Sequence, residues 1–278
     1  MTGDMVGECG VKRKAPSNYE EQRGILTGAR PVMEKVTALL LAALLAAEFL
    51  VLGCGESSDG GGSPADPTRQ AERDKMVYRQ IVARGVKDQA VLKAMRKVPR
   101  HEFLLNPNAA LAYGDGPLPI GHGQTISQPY LVAFMTEALR LRGDEKVLEV
   151  GTGSGYQTAV LAEIAHDVFT IEIVKPLADR AEATLKALGY KNVTVRAGDG
   201  YRGWPEAAPF DAILVAAAPW QLPQPLLDQL AVGGRMILPV GKKFDQSLML
   251  IRRTDKGYER TTLLPVAFVP MTGEAEGK

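Results

Sequence analysis

"VLEVGTGSGYQTAVLAEI", Val147 to Ile164, is the stretch whose reading decides the architecture. A short apolar run carrying one acid, Glu149, enters three glycines at 151, 153 and 155, and a helix-like pattern follows. Strand, glycine turn and helix in that order open a βαβ unit, in which a ligand can approach the backbone at the turn. A dinucleotide, a phosphate and a sulfonium-bearing nucleoside would each use glycines there. The flanking residues have to choose among them.

Working outward, the same alternation continues. "QPYLVAFMTEALRL" before the stretch reads as a helix, with Ser127 placed to cap it. After it, "DVFTIEI", "VTVRAGD", "FDAILVAAA" and "GRMILPVG" read as strands, and "PLADRAEATLKALGY" and "PQPLLDQL" as helices. "SLMLIRRT" and "YERTTLLPVAF", joined by "DKG", predict a hairpin at the sheet edge. Residues 71–97 have apolar positions at helical spacing, broken at Gly85 and ended by Val98-Pro99, which predicts two short helices. Residues 100–129 are rich in Gly, Pro and Asn without a clean period. A loop so long in a compact domain, with aromatic residues in it, points to function. The fold expected is a doubly wound, mostly parallel Rossmann-like α/β sheet with N-terminal helices and an antiparallel C-terminal hairpin.

The chain has 278 residues, 45% of them hydrophobic and 23% charged, with a net charge of +1. That supports one substantial core and gives no clustered basic face for nucleic acid. Cys9 and Cys54, and His101, His122 and His166, are scattered without ligand spacing, so no metal site is expected. Ahead of the fold lies a separate problem. Residues 1–54 form an extension in which basic residues precede a twelve-residue, almost wholly apolar run, Val36 to Ala47, ending at "VLGC". The run has signal-peptide length and is shorter than the ~20 residues of a spanning helix. "VLGC" is similar to a bacterial lipoprotein processing box, in which Cys54 would be lipidated and the chain attached to a membrane. The other reading is a mis-assigned upstream start with a disordered or helical extension. Residues 55–70, rich in Gly, Ser, Asp and Pro, read as a flexible linker, leaving a folded domain over 71–278.

In doubly wound sheets a ligand sits beyond the carboxyl ends of the strands. The glycines here are spaced G-x-G-x-G, one residue shorter than the dinucleotide pattern, with Glu149 just before them. A carboxylate at that mouth repels a pyrophosphate and suits the cationic S-adenosylmethionine (AdoMet). Glu172 ends the second strand, where it can accept from both ribose hydroxyls, and Asp199 ends the third, near an adenine amino group. Either acid alone is as well read as a helix cap or a solvated charge. Together with Gly151, Thr152, Gly153, Gly155 and Gly200 they form the expected cofactor set.

"VPRHEFL", "YGDGPLPIGHGQTISQPYLVAFMTEAL", "VLEVGTGSGYQTAVLA", "GDGYRGWPEAAPFDAILVAAA", "QLAVGGRMILPVG" and the final "FVP" together resemble the protein-L-isoaspartate O-methyltransferase family, from about Met76 to Pro270. "GQTISQP" is the most specific block, since general AdoMet enzymes lack it. The resemblance implies an AdoMet-dependent class I methyltransferase that methylates the α-carboxylate of isoaspartyl residues in damaged proteins. It implies catalytic roles for Ser127 and Thr125 and a substrate loop of Gly121, His122, Gly123 and Gln124, with Gln246 near the cofactor. The chemistry agrees. An isoaspartyl α-carboxylate, with an ordinary pKa near ~3.5, is ionised at neutral pH and needs no general base. The enzyme has only to desolvate, hold and align it. Ser127 would orient that nucleophile; capping the next helix is the plainer role for it. The 100–129 loop and "VAFVPMTG" near the C-terminus would wall a shallow groove that reads backbone.

Two other functions compete: a methyltransferase for a small-molecule acceptor, and an exported lipoprotein that binds altered proteins without turnover. A dehydrogenase fits least, given the glycine spacing. The expected partners are isoaspartyl proteins and peptides, and the catalytic domain is expected to be monomeric. AdoMet supply favours the cytoplasm, whereas the 33–54 segment favours the envelope.

Overall fold

The computed structural model describes residues 67–105 and 108–277. The signal-like segment, Cys54 and most of the expected linker lie outside the described residues. The chain enters through α1 (Pro67–Met76), which runs on through a π turn and a 3-10 turn to Gly85 in the left-handed region. Residues 67–70 are therefore helical, where a linker was expected. α2 (Gln89–Lys97) starts at Asp88, whose carboxylate accepts from the Ala90 and Val91 amides, and it ends before Pro99.

The stretch read from sequence as a long loop contains an antiparallel hairpin of β1 (Leu118–Gly121) and β2 (Gln124–Ile126). Then come α3 (Pro129–Leu139), β3 (Lys146–Val150), α4 (Tyr156–Ala162), β4 (Asp167–Glu172), α5 (Lys175–Ala187) and β5 (Val193–Ala197). β6 (Phe210–Val215), α6 (Gln224–Gln229), β7 (Leu230–Lys242), β8 (Asp245–Thr254) and β9 (Gly257–Val266) complete the strands and α-helices of the described residues. The main sheet runs β5-β4-β3-β6-β7-β8-β9. β3 to β7 are parallel, and β8 and β9 add the expected antiparallel hairpin.

Side-chain alternation explains why the central strands read as continuous apolar runs. Val147, Ala212, Leu214 and Ile237 pack with Met135 and Leu139 of α3, while Leu148, Val150, Ile213 and Val215 pack with Leu226 and Leu227 of α6 on the opposite face. A third cluster joins α1, α2 and the β1–β2 hairpin to α4 and α5 through Met95, Ile120, Tyr156 and Leu185. The strand order reverses at β3, whose neighbours β4 and β6 lead to opposite sides of the sheet. That switch point sets the position of the site.

Candidate active site

Two cavities meet at the carboxyl edge of the sheet. The first, about 80 Å³, is a narrow cleft over the ends of β3, β4 and β6, lined by Val150 to Ser154, Ile171 to Ile173, Gly200 and Ala216–Ala217. Further walls are Gln124 to Ser127 from β2 and the following turn, and Val269 to Thr272 from the C-terminal segment, with Val132, Tyr156 and Gln157 behind. The second, about 400 Å³, is lined by Arg84, Pro117, Thr125, Ser127 to Leu131 except Pro129, Ala216 and Leu264 to Val269. Thr125, Ser127, Ala216 and Val269 face both. The two spaces thus share a wall.

The glycine loop forms the floor of the first cavity. Gly151 and Gly153 have φ of 94° and 55°, in the region that costs other residues strain, and the Gly151 amide donates to the Ile171 carbonyl at 2.8 Å. Gly155, also left-handed at 89°, does not line the cavity. A Cβ there would meet Ala181 and Leu185 at 3.3 Å, so this glycine serves the packing of α4 on α5.

Glu172 is the acid that faces the cleft. Its Oε2 accepts from the Gly153 amide at 2.8 Å and its Oε1 from the Val174 amide at 2.9 Å. Each carboxylate oxygen has two lone pairs, so acceptor capacity remains for a vicinal diol. Glu149 is elsewhere. It lies wholly buried on the α4 side of β3, and its Oε2 accepts from Thr158 at 2.5 Å and Thr170 at 2.8 Å. Burial pushes its carboxyl up to about 8 against the pull of the two hydroxyls, with the Glu172 charge raising it further. The expectation of a carboxylate at the ligand's mouth is corrected on this point. Strand alternation turns Glu149 under the loop, since Leu148 and Val150 take the other face. Thr152 contributes to the cleft wall while its hydroxyl bonds Thr170 at 2.6 Å, extending the Glu149 network to the loop.

Asp199 is held by two backbone amides. Its Oδ1 accepts from the Tyr201 amide at 2.9 Å and its Oδ2 from the Glu274 amide at 2.8 Å, and only its neighbour Gly200 lines the cleft. The carboxylate caps a 3-10 turn and ties down the C-terminal segment. Gly121, His122 and Gly123 form the exposed turn of the β1–β2 hairpin, all with positive φ. Of the four residues expected as substrate loop, only Gln124 reaches a cavity. Gln246 is buried and bonds both backbone groups of Phe268, lining neither cavity.

Ser127 and Thr125 stand on the shared wall. The N-cap of α3 is Gln128, with no side-chain cap bond, and among the described residues the Ser127 hydroxyl makes no hydrogen bond. The capping role is therefore corrected. Pro129 opens the helix at its first turn, which moves the cap one residue on and leaves the hydroxyl to the cavities. Tyr130 and Leu131, in the first turn of α3, line the second cavity, where amides without intrahelical partners favour an anion. At its mouth the Arg84 guanidinium pairs with Asp115 and lies 4.9 Å from the Tyr130 ring centroid. Asp115 also accepts from the Gln128 amide group at 2.7 Å.

Sequence reasoning missed Arg84, Tyr130 and the Ala216–Ala217 edge, which come together from segments far apart in the chain. It did place the walls in the 100–129 region and in "VAFVPMTG". The hairpin is held in place by Arg180 of α5, which donates to the Ile120 carbonyl at 2.6 Å.

The residues suit an adenosine-bearing sulfonium: a diol acceptor in Glu172, close backbone approach at Gly151 and Gly153, and an apolar slot between Ile171, Ile173 and Met271. Comparison with known proteins agrees. Residues 71–276 match the family model described as protein-L-isoaspartate(D-aspartate) O-methyltransferase. The protein-L-isoaspartate O-methyltransferase of Gloeobacter violaceus is 60% identical over 200 residues, covering 72% of this chain and 98% of its own. A solved protein-L-isoaspartate O-methyltransferase is 31% identical with a TM-score of 0.68, covering 73% of this chain and 67% of the other. A Plasmodium falciparum structure assigned to the same activity, in complex with S-adenosyl-L-homocysteine, is 26% identical with a TM-score of 0.63, covering 73% and 98%. This chain belongs to the protein-L-isoaspartate(D-aspartate) O-methyltransferase family.

Proposed function

We propose that the chain methylates the α-carboxylate of L-isoaspartyl residues in damaged proteins, with AdoMet in the first cavity and the isoaspartyl residue in the second. The observation that carries this reading is the shared wall of Thr125, Ser127, Ala216 and Val269. AdoMet supplies a methyl group made electrophilic by its sulfonium. One bond forms from a carboxylate oxygen to the methyl carbon as the methyl–sulfur bond breaks and its electron pair passes to sulfur. No proton moves. The chain's part is positional. The Ser127 hydroxyl and the first-turn amides of α3 hold the carboxylate, and the Arg84–Asp115 ion pair stands at the mouth. Glu172 fixes the ribose, and the apolar walls exclude water. The resulting ester is open to attack by the next backbone amide, giving a succinimide that hydrolyses in part to normal aspartate.

A chromatographic time course of an isoaspartyl peptide with AdoMet and the full chain tests this. The methyl ester should rise and fall as succinimide and aspartyl peptide accumulate. A methyl adduct that persists in mild base would point to another acceptor group. AdoMet supply supports a cytoplasmic enzyme, and we read residues 71–278 as its catalytic unit, acting as a monomer. Cell fractionation and sedimentation would check location and state, and lipid on Cys54 would reverse the first. No described helix is long and apolar enough to cross a membrane.

A further inference from the structure

Two aromatic side chains stand in solvent on the edge of the molecule that carries the cavities. Trp220, in the segment that begins with the cavity residues Ala216 and Ala217, is 52% exposed, and Phe244, in the β7–β8 turn, is 91% exposed. The Gly241 amide donates to the Pro219 carbonyl at 3.0 Å and so holds the Trp220 segment to that turn. The turn is continuous with the second cavity. Gln246, on the β8 side of the turn, accepts from the Phe268 amide at 2.7 Å and donates to its carbonyl at 3.1 Å, and Phe268 is a wall residue of that cavity.

Folding alone does not favour these residues. Lys242 pairs with Asp245, which leaves Lys243 and Phe244 as a two-residue turn, and Phe244 sits at φ 70°. Glycine or asparagine would hold that backbone with less strain, and neither would expose a ring to water. An aromatic residue there gains by meeting something from outside. The turn also sets the charge of the patch. The Lys242 ammonium lies 5.8 Å from the Trp220 ring centroid and that of Lys243 lies 5.2 Å from the Phe244 ring centroid, with Asp245 the one acid of the turn.

We infer that Trp220, Lys242, Lys243 and Phe244 form a docking surface for the substrate polypeptide itself, taking an extended stretch beside the isoaspartyl residue that carries an apolar side chain next to a carboxylate. The inference rests on the isoaspartyl reading of the two cavities. An enzyme that must accept an abnormal linkage in many sequences can draw little affinity from the linkage's neighbours inside the cavity. A second contact on the same chain raises the local concentration of the damaged residue without fixing its sequence.

The test uses the full chain and a Trp220→Ala/Phe244→Gly double variant, with the thermal midpoint of each recorded. A fluorescein-labelled, unmodified peptide with a Phe-Glu pair should bind the native chain and bind the variant roughly tenfold more weakly, as for loss of an aromatic anchor pair. KM for a long isoaspartyl peptide carrying that pair should rise by a similar factor, with kcat and KM for a four-residue isoaspartyl peptide unchanged. Equal binding by both proteins, no binding by the native chain, or equal loss on the short peptide would overturn the surface. Self-association of the native chain that the variant abolishes would overturn it in favour of a contact between copies. Peptide binding that depends on the two aromatics, without methyl transfer to any isoaspartyl peptide, would sink the repair reading and leave the peptide surface standing.

Discussion

At the scale of single residues, Ser127 and Glu149 are the informative pair, because the structure gives each a role other than the one its sequence neighbourhood implies. A serine before a helix reads as a cap, yet Pro129 at the first turn shifts the cap to Gln128. That proline was the legible signal. Ser127→Ala should therefore leave the thermal midpoint unchanged, where loss of a true cap would cost about 1 kcal/mol. It should lower kcat/KM for an isoaspartyl peptide by roughly 10- to 100-fold, the worth of a hydrogen bond to a charged group, with AdoMet affinity retained. A lowered midpoint with full activity would return Ser127 to the plain capping role.

Glu149 makes a prediction about pH. Its carboxyl is pushed up to about 8 in the fold from an ordinary value of 4.5, so between those values the native state holds a proton that the unfolded state has released. Stability should fall as pH rises through that window, because the unfolded chain gains free energy by ionising this carboxyl while the fold holds it neutral. Glu149→Gln removes the titration. Melting curves at pH 5 and pH 8 should show a smaller loss with rising pH in the variant, which should be the more stable protein at pH 8. A parallel pH dependence in the two proteins would contradict the buried, protonated assignment.

Among the elements, the parallel strands and their helices were legible because both faces of the sheet are covered, which writes a continuous apolar run into each strand. The β1–β2 hairpin was not legible. Strands of four and three residues are too short to show a period, and three positive-φ turn residues read as loop. The hairpin nevertheless brings Gln124 and Thr125 to the cleft, and its hold on α5 runs through the Arg180–Ile120 bond. Arg180→Met should loosen it. KM for both AdoMet and peptide is expected to rise several-fold with little change in melting midpoint, since the residue is only partly buried and its bond reaches a strand at the rim. Unchanged kinetics would show that the packing of Ile120 suffices.

Across the whole molecule, the site is made where segments distant in sequence converge. The glycine loop and Glu172 could be read from local pattern, since both follow from where strands end in a doubly wound sheet. Of the shared wall, Thr125, Ser127 and the segment of Val269 could be read too, but Ala216 could not, because it carries no chemistry of its own and matters only by position. The same distance explains Asp199. Its partner Glu274 lies 75 residues on, and no local pattern would announce a carboxylate used to tie down the C-terminal segment that walls the cleft.

The central claim is that a methyl group crosses this wall to an isoaspartyl carboxylate. Transfer of labelled methyl from AdoMet to an isoaspartyl peptide, beside its normal aspartyl twin, measures that directly. The two-cavity account predicts label in the isoaspartyl peptide and none in its twin. AdoMet binding with no label in either, or equal label in both, would contradict it.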